Sequence, residues 1–315
     1  MFLAGDIGGT RSRFYAMEQD RVVFEHIYSS KDYSNFIDIV ENFLKISGLT
    51  FSSCVFGIAG VVTNGHCKTT NLPWEVSIQD INKTLRIDHG YLINDLALLS
   101  YGLVDLEPQM LEIFQTGHKN EGPMLVVCPG TGLGVACVMH TQIPLEILAT
   151  EAGHADFPPI TELELELLNY FINRFKHVSI ERFVSGSGLC NIYQFLCHKH
   201  NKQPSLMTSE AITEAALQHS DPLALKTCEL FLNMLGSTLG NLALNYIPCK
   251  GVYMCGALMR HLYPLINKQE FLSRFSSKGR FENLLKKMPL LVVKEQKLAV
   301  RGARMFYKNL NTRPQ

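Results

Sequence analysis

Phe2-Leu3-Ala4-Gly5-Asp6-Ile7-Gly8-Gly9-Thr10-Arg11-Ser12-Arg13-Phe14 runs an apolar strand into an Asp, a Gly-Gly-Thr turn and a second strand. Glycines let backbone N–H groups approach an anion with no Cβ in the way. Thr10 adds a hydroxyl donor, and Asp6 puts a carboxylate where a Mg²⁺ with its water shell could sit. The Gly-Lys-Ser/Thr ending of a Walker A loop is missing. A strand follows rather than a helix, so the dinucleotide fingerprint does not apply either. In isolation Gly-Gly is also an ordinary hairpin turn. A second strand–turn–strand unit, Pro129-Gly130-Thr131-Gly132 between Met124–Cys128 and Gly134–His140, repeats the plan further along. Two such hairpins, opening two successive α/β regions, can close on a nucleotide from both sides.

The remaining sequence bounds the setting of these turns. With 315 residues, 46% of them hydrophobic, the chain has material for two domains. Its formal net charge is zero and no basic stripe is present, which argues against a nucleic-acid or anionic-membrane partner. No signal-peptide pattern stands at the N-terminus. The longest uncharged stretch, Gly122–Leu145, is broken by Pro129, Gly130, Gly132 and Gly134, so it reads as two strands and a turn rather than a membrane span. Nine scattered cysteines without a Cys-x-x-Cys pair suggest neither a disulfide framework nor a structural zinc site. They read as small core hydrophobes in a protein of the reducing cytoplasm.

Periodicity predicts strands at Phe2–Asp6, Ser12–Met17, Val22–Ile27, Cys54–Ala59 and Tyr91–Asn94. Helices are expected at Asn35–Ile46 and at Ser77–Leu85, the latter with Ser77 as N-cap. Such alternation implies an α/β layer with parallel pairing. After the second hairpin the reading is mostly helical: Glu162–Phe175, Leu189–His198, Ser209–Gln218 and Pro222–Asn245, the last with Cys228, Phe231, Leu235, Thr238 and Leu242 on one face. Strands at Gly251–Cys255 and Leu290–Val293 and a closing helix at Leu298–Tyr307 complete it.

Four fragments carry candidate chemistry. Asn94-Asp95 ends a strand, where open α/β sheets place ligands. Asp95 reads either as a cap of the next helix or as a general base that takes a proton from a hydroxyl attacking phosphorus. Glu151-Ala152-Gly153-His154 is either a solvated turn or a hydrogen-bonding set for sugar hydroxyls. Glu181, followed by Ser185-Gly186-Ser187-Gly188-Leu189, pairs an acid with a turn that either binds an anion at a helix N-terminus or simply starts the helix. Thr70-Asn71-Leu72-Pro73-Trp74 is a Pro-stiffened loop whose tryptophan fills a gap.

Taken in order, these motifs resemble the bacterial glucokinase family, in the hexokinase branch of the actin-like ATPase superfamily. The resemblance runs from Gly5–Thr10 through Gly57-Ile58-Ala59-Gly60, Asn71, Asn94-Asp95, Gly130–Val135, Glu151–His154, Glu181-Arg182 and Gly240–Asn245 to Gly302-Ala303. It implies an α/β, two-lobed actin-like ATPase (ribonuclease H-like) fold with a cleft between the lobes. The smaller N-terminal α/β domain would span residues 1–105, with the C-terminal helix 296–315 packing back on it. The larger α+β domain would span 106–295. The resemblance further implies phosphorylation of the glucose 6-hydroxyl by MgATP, with Asp95 as catalytic base. Asn71, Asn94, Glu151, His154 and Glu181 would hold the sugar. Gly5, Asp6, Ile7, Gly8, Gly9, Thr10, Gly130, Thr131, Gly132 and Gly256 would line the ATP site, with Asp6 near Mg²⁺ through water. A homodimer would follow the family's habit.

Some positions depart from the family's pattern. Arg11 stands where an Asn is usual, Ala257-Leu258 replace Gly-Ile, and the glycine-rich turn near the C-terminus is thinned to Leu298-Ala299-Val300-Arg301-Gly302. Two alternatives stay open at this point: a kinase for another hexose, and a catalytically weakened sugar-binding homologue. The related group of sugar kinases and repressors usually carries a Cys-rich zinc motif after its Gly-His, and none follows Gly153-His154.

Overall fold

The opening hairpin forms in full. Strand β1 (Phe2–Ile7) pairs antiparallel with β2 (Arg11–Glu18), which sets Asp6 directly opposite Arg13. Strand β3 (Arg21–Ser29) adds to β2, and β4 (Ser53–Ile58) lies parallel to β1. Next come β5 (Val62–Thr63), β6 (His66–Lys68) and β7 (Glu75–Ser77), which make a small antiparallel sheet of their own. Strand β8 (His89–Asn94) then runs parallel to β4, giving the order β3-β2-β1-β4-β8. The computed structural model describes residues 1–19, 21–69, 72–117 and 121–310.

The chain divides into two compact units. One comprises Met1–Glu107, His140–Ala149 and the segment from Lys297, and the other comprises Pro108–Met139 and Thr150–Gln296. In the first unit every residue of β4 is buried, because helices cover both faces of the sheet. On one face lies α1 (Phe36–Ser47), capped by the Asn35 side chain, which accepts from Asp38 N–H, and ended by Gly48 in the left-handed region. Its Phe36, Ile39, Val40 and Phe43 recur at helical spacing and are buried. Phe36 and Phe43 meet Phe14 with ring centroids 6.0 and 5.3 Å apart, and Phe36 meets Phe56 at 5.2 Å. Trp74 is 1% exposed, and its indole N–H donates to the Tyr33 carbonyl at 3.1 Å. Helix α2 (Ile78–Leu85) starts after Ser77 as expected, but the Ser77 hydroxyl bonds Gln79 Oε1 rather than a backbone N–H.

The other face carries α3 (Asp95–Leu103) and the C-terminal helix Leu298–Leu310. These helices cross at two glycines. A Cβ on Gly302 would stand 1.9 Å from Leu98 O, and one on Gly102 would stand 2.5 Å from Leu298 O. The thinned stretch Leu298–Gly302 is therefore not a turn, because it lies within this helix.

The second unit centres on another sheet. It contains β9 (Leu111–Gln115), β10 (Met124–Pro129) and most of β11 (Leu133–His140). After β12 (Glu146–Thr150) come β13 (Gly251–Met254) and β14 (Leu290–Val293), and the order β11-β10-β13-β14-β9 results. Helices α4 (Glu162–Ile172), α5 (Gly186–Lys199), α6 (Ser209–Leu217) and α7 (Pro222–Tyr246) pack on one face with α9 (Lys268–Ser276). The short α8 (Ala257–Leu262) follows β13. Asp221 accepts from Leu223 and Ala224 N–H and Pro222 takes the first turn, which fixes the start of α7. Its Cys228, Phe231, Leu235, Thr238 and Leu242 are buried, as the spacing requires.

Several elements escaped the sequence reading. Strands β9 and β12 and helix α8 are short, and their hydrophobic patterns are too brief to stand out. The helix expected to reach Phe175 ends at Ile172. Among the described residues no helix is long and apolar enough to cross a membrane.

Candidate active-site residues

In the first unit three parallel strands end along one edge. Their register places Ile7 beside Ile58, and Ile58 beside Asn94. The turn after β1, Gly57–Gly60 and Asn94-Asp95 therefore stand in a row at the carboxyl edge of the sheet, the usual place for ligands in such sheets. Gly57 belongs to this arrangement because a Cβ there would lie 2.9 Å from the Leu98 Cβ and 3.2 Å from the Asp95 Cα. Its bare backbone lets α3 begin against β4.

The two readings of Asp95 are separated by its neighbour. Asn94 is the N-cap, its Oδ1 accepting from Ala97 N–H at 3.0 Å, and Asp95 is the first helical residue. Asp95 Oδ1 accepts from Leu96 N–H at 2.8 Å, and the residue is half-buried. Asn94 Nδ2 also donates to the Gly60 carbonyl at 3.2 Å. One amide hydrogen and one lone pair of Asn94 remain for another partner.

Asp6 faces Arg13, whose guanidinium lies 3.4 Å from Oδ2. Burial pushes the Asp6 carboxyl above its ordinary value, with Arg13 pulling the other way. The turn itself is braced by serines that the sequence reading did not single out. Gly8 N–H donates to Arg11 O at 3.1 Å, Ser30 Oγ donates to Gly8 O at 2.8 Å, and Ser30 N–H donates to Thr10 O at 3.0 Å. Ser12 Oγ meets Ser30 Oγ at 2.9 Å. Ile7 has a buried side chain and Gly5 is pressed by the Phe56 ring, 2.3 Å from where a Cβ would stand. For these two positions only backbone can face a ligand. Arg11 is exposed at the start of β2. Thr70 and Asn71 lie outside the described residues.

In the second unit the tip between β10 and β11 is tied to two acid-bearing segments. Gly130 N–H donates to Gly132 O at 2.8 Å, and Gly186 N–H donates to Gly130 O at 2.7 Å. Leu133 N–H donates to Glu181 Oε2 at 2.7 Å. Gly132 makes room for this bond, since a Cβ there would lie 2.4 Å from the same oxygen. His154 Nε2 lies 3.9 Å from Glu151 Oε2 and 4.0 Å from Glu181 Oε1. These separations exceed hydrogen-bond length, so hydroxyls or waters can bond among the three groups. Gly153 holds the turn against β11, because a Cβ there would stand 2.3 Å from Leu133 O. Gly256, at φ 98°, lies under the second turn, and a Cβ there would be 3.1 Å from Pro129 O.

Of the two readings open for Ser185-Gly186-Ser187-Gly188, the helix start is the one seen. Ser185 Oγ accepts from Gly188 N–H at 3.0 Å, and Gly186 N–H is spent on Gly130. Gly188 is a packing glycine, because its Cβ would strike Phe183 O at 2.3 Å. The sequence reading also missed Arg13. Counting the hairpin register back from the Gly-Gly turn would have placed it across from Asp6.

Comparison with known proteins adds to this geometry. The family model described as Glucokinase matches residues 3–310. A glucokinase of Trichormus variabilis is 33% identical, covering 96% of this chain and 97% of its own length. A glucokinase of Neisseria meningitidis is 35% identical, with 96% and 93% covered. The crystal structure of a glucokinase from an Antarctic psychrotroph superposes with a TM-score of 0.80 at 25% identity, covering 98% of both chains.

Proposed function

Since the chain belongs to the glucokinase family, we propose that it transfers the γ-phosphoryl group of ATP to the 6-hydroxyl of D-glucose, with Asp95 as general base. The observation that carries this reading is the position of Asp95. It opens α3 at the carboxyl end of a parallel strand, held by its own Leu96 N–H while Asn94 does the capping. Asp95 takes the proton of the attacking hydroxyl as the O–P bond forms. Such a base contributes roughly 10²–10⁴-fold. The rest of the catalysis is positioning and charge stabilisation. Asn94, Asn71, Glu151, His154 and Glu181 hold sugar hydroxyls. Gly8, Gly9 and Thr10, with Gly130, Thr131 and Gly132, take the phosphates through backbone N–H groups and the threonine hydroxyls. Gly256 borders the adenosine.

Mg²⁺ suits Asp6. Burial makes a charged Asp6 costly and the 3.4 Å contact with Arg13 offsets this only in part, so the site favours an added cation. When bound through water there, Mg²⁺ would neutralise the charge of the transferring phosphoryl group. The remaining family traits, a cytoplasmic enzyme that pairs as a homodimer, are proposed on the same ground, and light scattering of the purified chain checks the pairing.

The test is a coupled kinase assay across hexoses with ATP and Mg²⁺, on the parent and on Asp95→Ala. We expect glucose to be the preferred sugar and the variant to lose about 10²-fold or more in kcat while still binding glucose. Turnover of the variant near the parent value would remove Asp95 from its role. Preference for another sugar would favour the alternative hexose kinase.

A further inference from the structure

Two cysteines stand side by side beneath the proposed nucleotide loops. The register of β10 on β13 pairs Val126 with Tyr253 and Val127 with Met254, so Cys128 and Cys255 are the next pair. Cys255 N–H continues the ladder to Val127 O at 3.0 Å. Residues in register on neighbouring strands point to the same face. Leu125, Val127, Val252 and Met254 belong to the helix-side core, so Cys128 and Cys255 alternate onto the opposite face. Cα atoms of adjacent strands lie about 4.8 Å apart, within the span a disulfide bridges. Cys128 Sγ already reaches over Gly256, 2.9 Å from where a Cβ there would stand. Cys128 is half-buried, whereas Cys255 is 2% exposed.

We propose that Cys128 and Cys255 form a peroxide-oxidisable dithiol whose disulfide lowers the use of ATP. The Cys128 thiol is oxidised by hydrogen peroxide to a sulfenic acid with release of one water. The Cys255 thiol then attacks that sulfur, the S–O bond breaks, and a second water leaves with the Cys255 proton. Two thiols and one peroxide thus give one disulfide and two waters. The order follows from the environment. A hydrogen bond with Cys128 and burial hold the Cys255 thiol well above the usual thiol range, so it keeps its proton, and the more accessible Cys128 meets the oxidant. Its closeness then gives Cys255 a high effective concentration as the resolving thiol.

The effect on ATP rests on the function proposed above, because Cys128 precedes Pro129–Gly132 and Cys255 precedes Gly256. Drawing the sulfurs to about 2.05 Å shifts both strand ends, and shifts of this kind at a phosphate site lower turnover roughly tenfold or more. The other partly exposed thiols have no such geometry on the same strands. Cys190 lies on α5 and Cys249 lies before β13, so neither faces a cysteine across a strand pair.

The experiment is peroxide treatment of the full-length enzyme, then non-reducing peptide mapping alongside kinetics with ATP and glucose varied separately. We expect a linked peptide joining Cys128 to Cys255 and lacking two hydrogens. We also expect a roughly tenfold drop in kcat/KM for ATP, reversed by dithiothreitol. Cys128→Ser and Cys255→Ser should keep the parent activity and resist peroxide. Cys128 recovered unlinked, whether unmodified or as sulfinic acid, overturns the proposal. So does a linked peptide with unchanged ATP kinetics. Failure of the glucokinase reading shows differently, as absence of turnover before any oxidation, and the peptide map still decides the pairing.

Discussion

Gly132→Ala separates activity from stability at a single atom. The added Cβ would lie 2.4 Å from Glu181 Oε2 and 3.1 Å from its Cδ. An ordinary contact begins at 3.4 Å, so the carboxylate must retreat by about 1 Å. It is the free end of a flexible side chain, 27% exposed, and can move without disturbing the backbone. What it loses is the 2.7 Å hydrogen bond from Leu133 N–H and its place beside His154. Net stability should therefore change by no more than about 1 kcal/mol, a few degrees in Tm. Catalysis should suffer far more, because Glu181 is a proposed sugar ligand and a shift of ~1 Å can cost up to ~100-fold. We expect kcat/KM for glucose to fall about 10- to 100-fold, or roughly 1.4–2.7 kcal/mol. Coupled kinetics with thermal unfolding on the same sample measures both. A folded variant whose kcat/KM for glucose stays within about twofold of the parent would refute the reasoning.

Two further substitutions test other parts of the molecule. Gly302→Ala puts a Cβ 1.9 Å from Leu98 O, a backbone atom that cannot swing away, so it should destabilise by about 1–3 kcal/mol and lower Tm, and an unchanged Tm would contradict the helix crossing. Asp6→Asn tests linkage at the first turn. The folded Asp6 binds its proton more tightly than the unfolded chain does, so the stability it contributes is full below pH 3.8 and is lost as pH rises through the raised folded value. At neutral pH Asp6→Asn should accordingly be at least as stable as the parent in urea unfolding, with that advantage shrinking under acid, yet its Mg²⁺-dependent turnover should be much weaker. A variant less stable than the parent at neutral pH would show that the pair with Arg13 outweighs the burial.

Much of the first unit was legible because its signals are local. Gly-Gly-Thr between two alternating strands, the Phe36–Phe43 stripe and the strand ending in Asn94-Asp95 each lie within a dozen residues. The roles of single glycines were not legible. Gly5, Gly57, Gly132 and Gly188 look alike in sequence, yet their reasons lie in Phe56, Leu98, Glu181 and Phe183, which are brought to them by folding. The same applies to the capping of α3. Sequence alone allowed Asp95 to be cap or base, and the Asn94 Oδ1 contact with Ala97 N–H took the capping role away from it.

From sequence alone came the two Gly-Thr turns, the α/β alternation and the ordered motifs that define the family, since hydrophobic period and turn chemistry are properties of neighbours along the chain. Tertiary structure alone decided where one inserted segment belongs. His140–Ala149 groups with the first unit, where Leu145 N–H donates to Asn309 Oδ1 at 2.6 Å across a long sequence gap. It also decided that Leu133 N–H fixes Glu181 and that Cys128 lies beside Cys255. These are contacts between distant positions, set by strand register and close packing, and no local pattern encodes them.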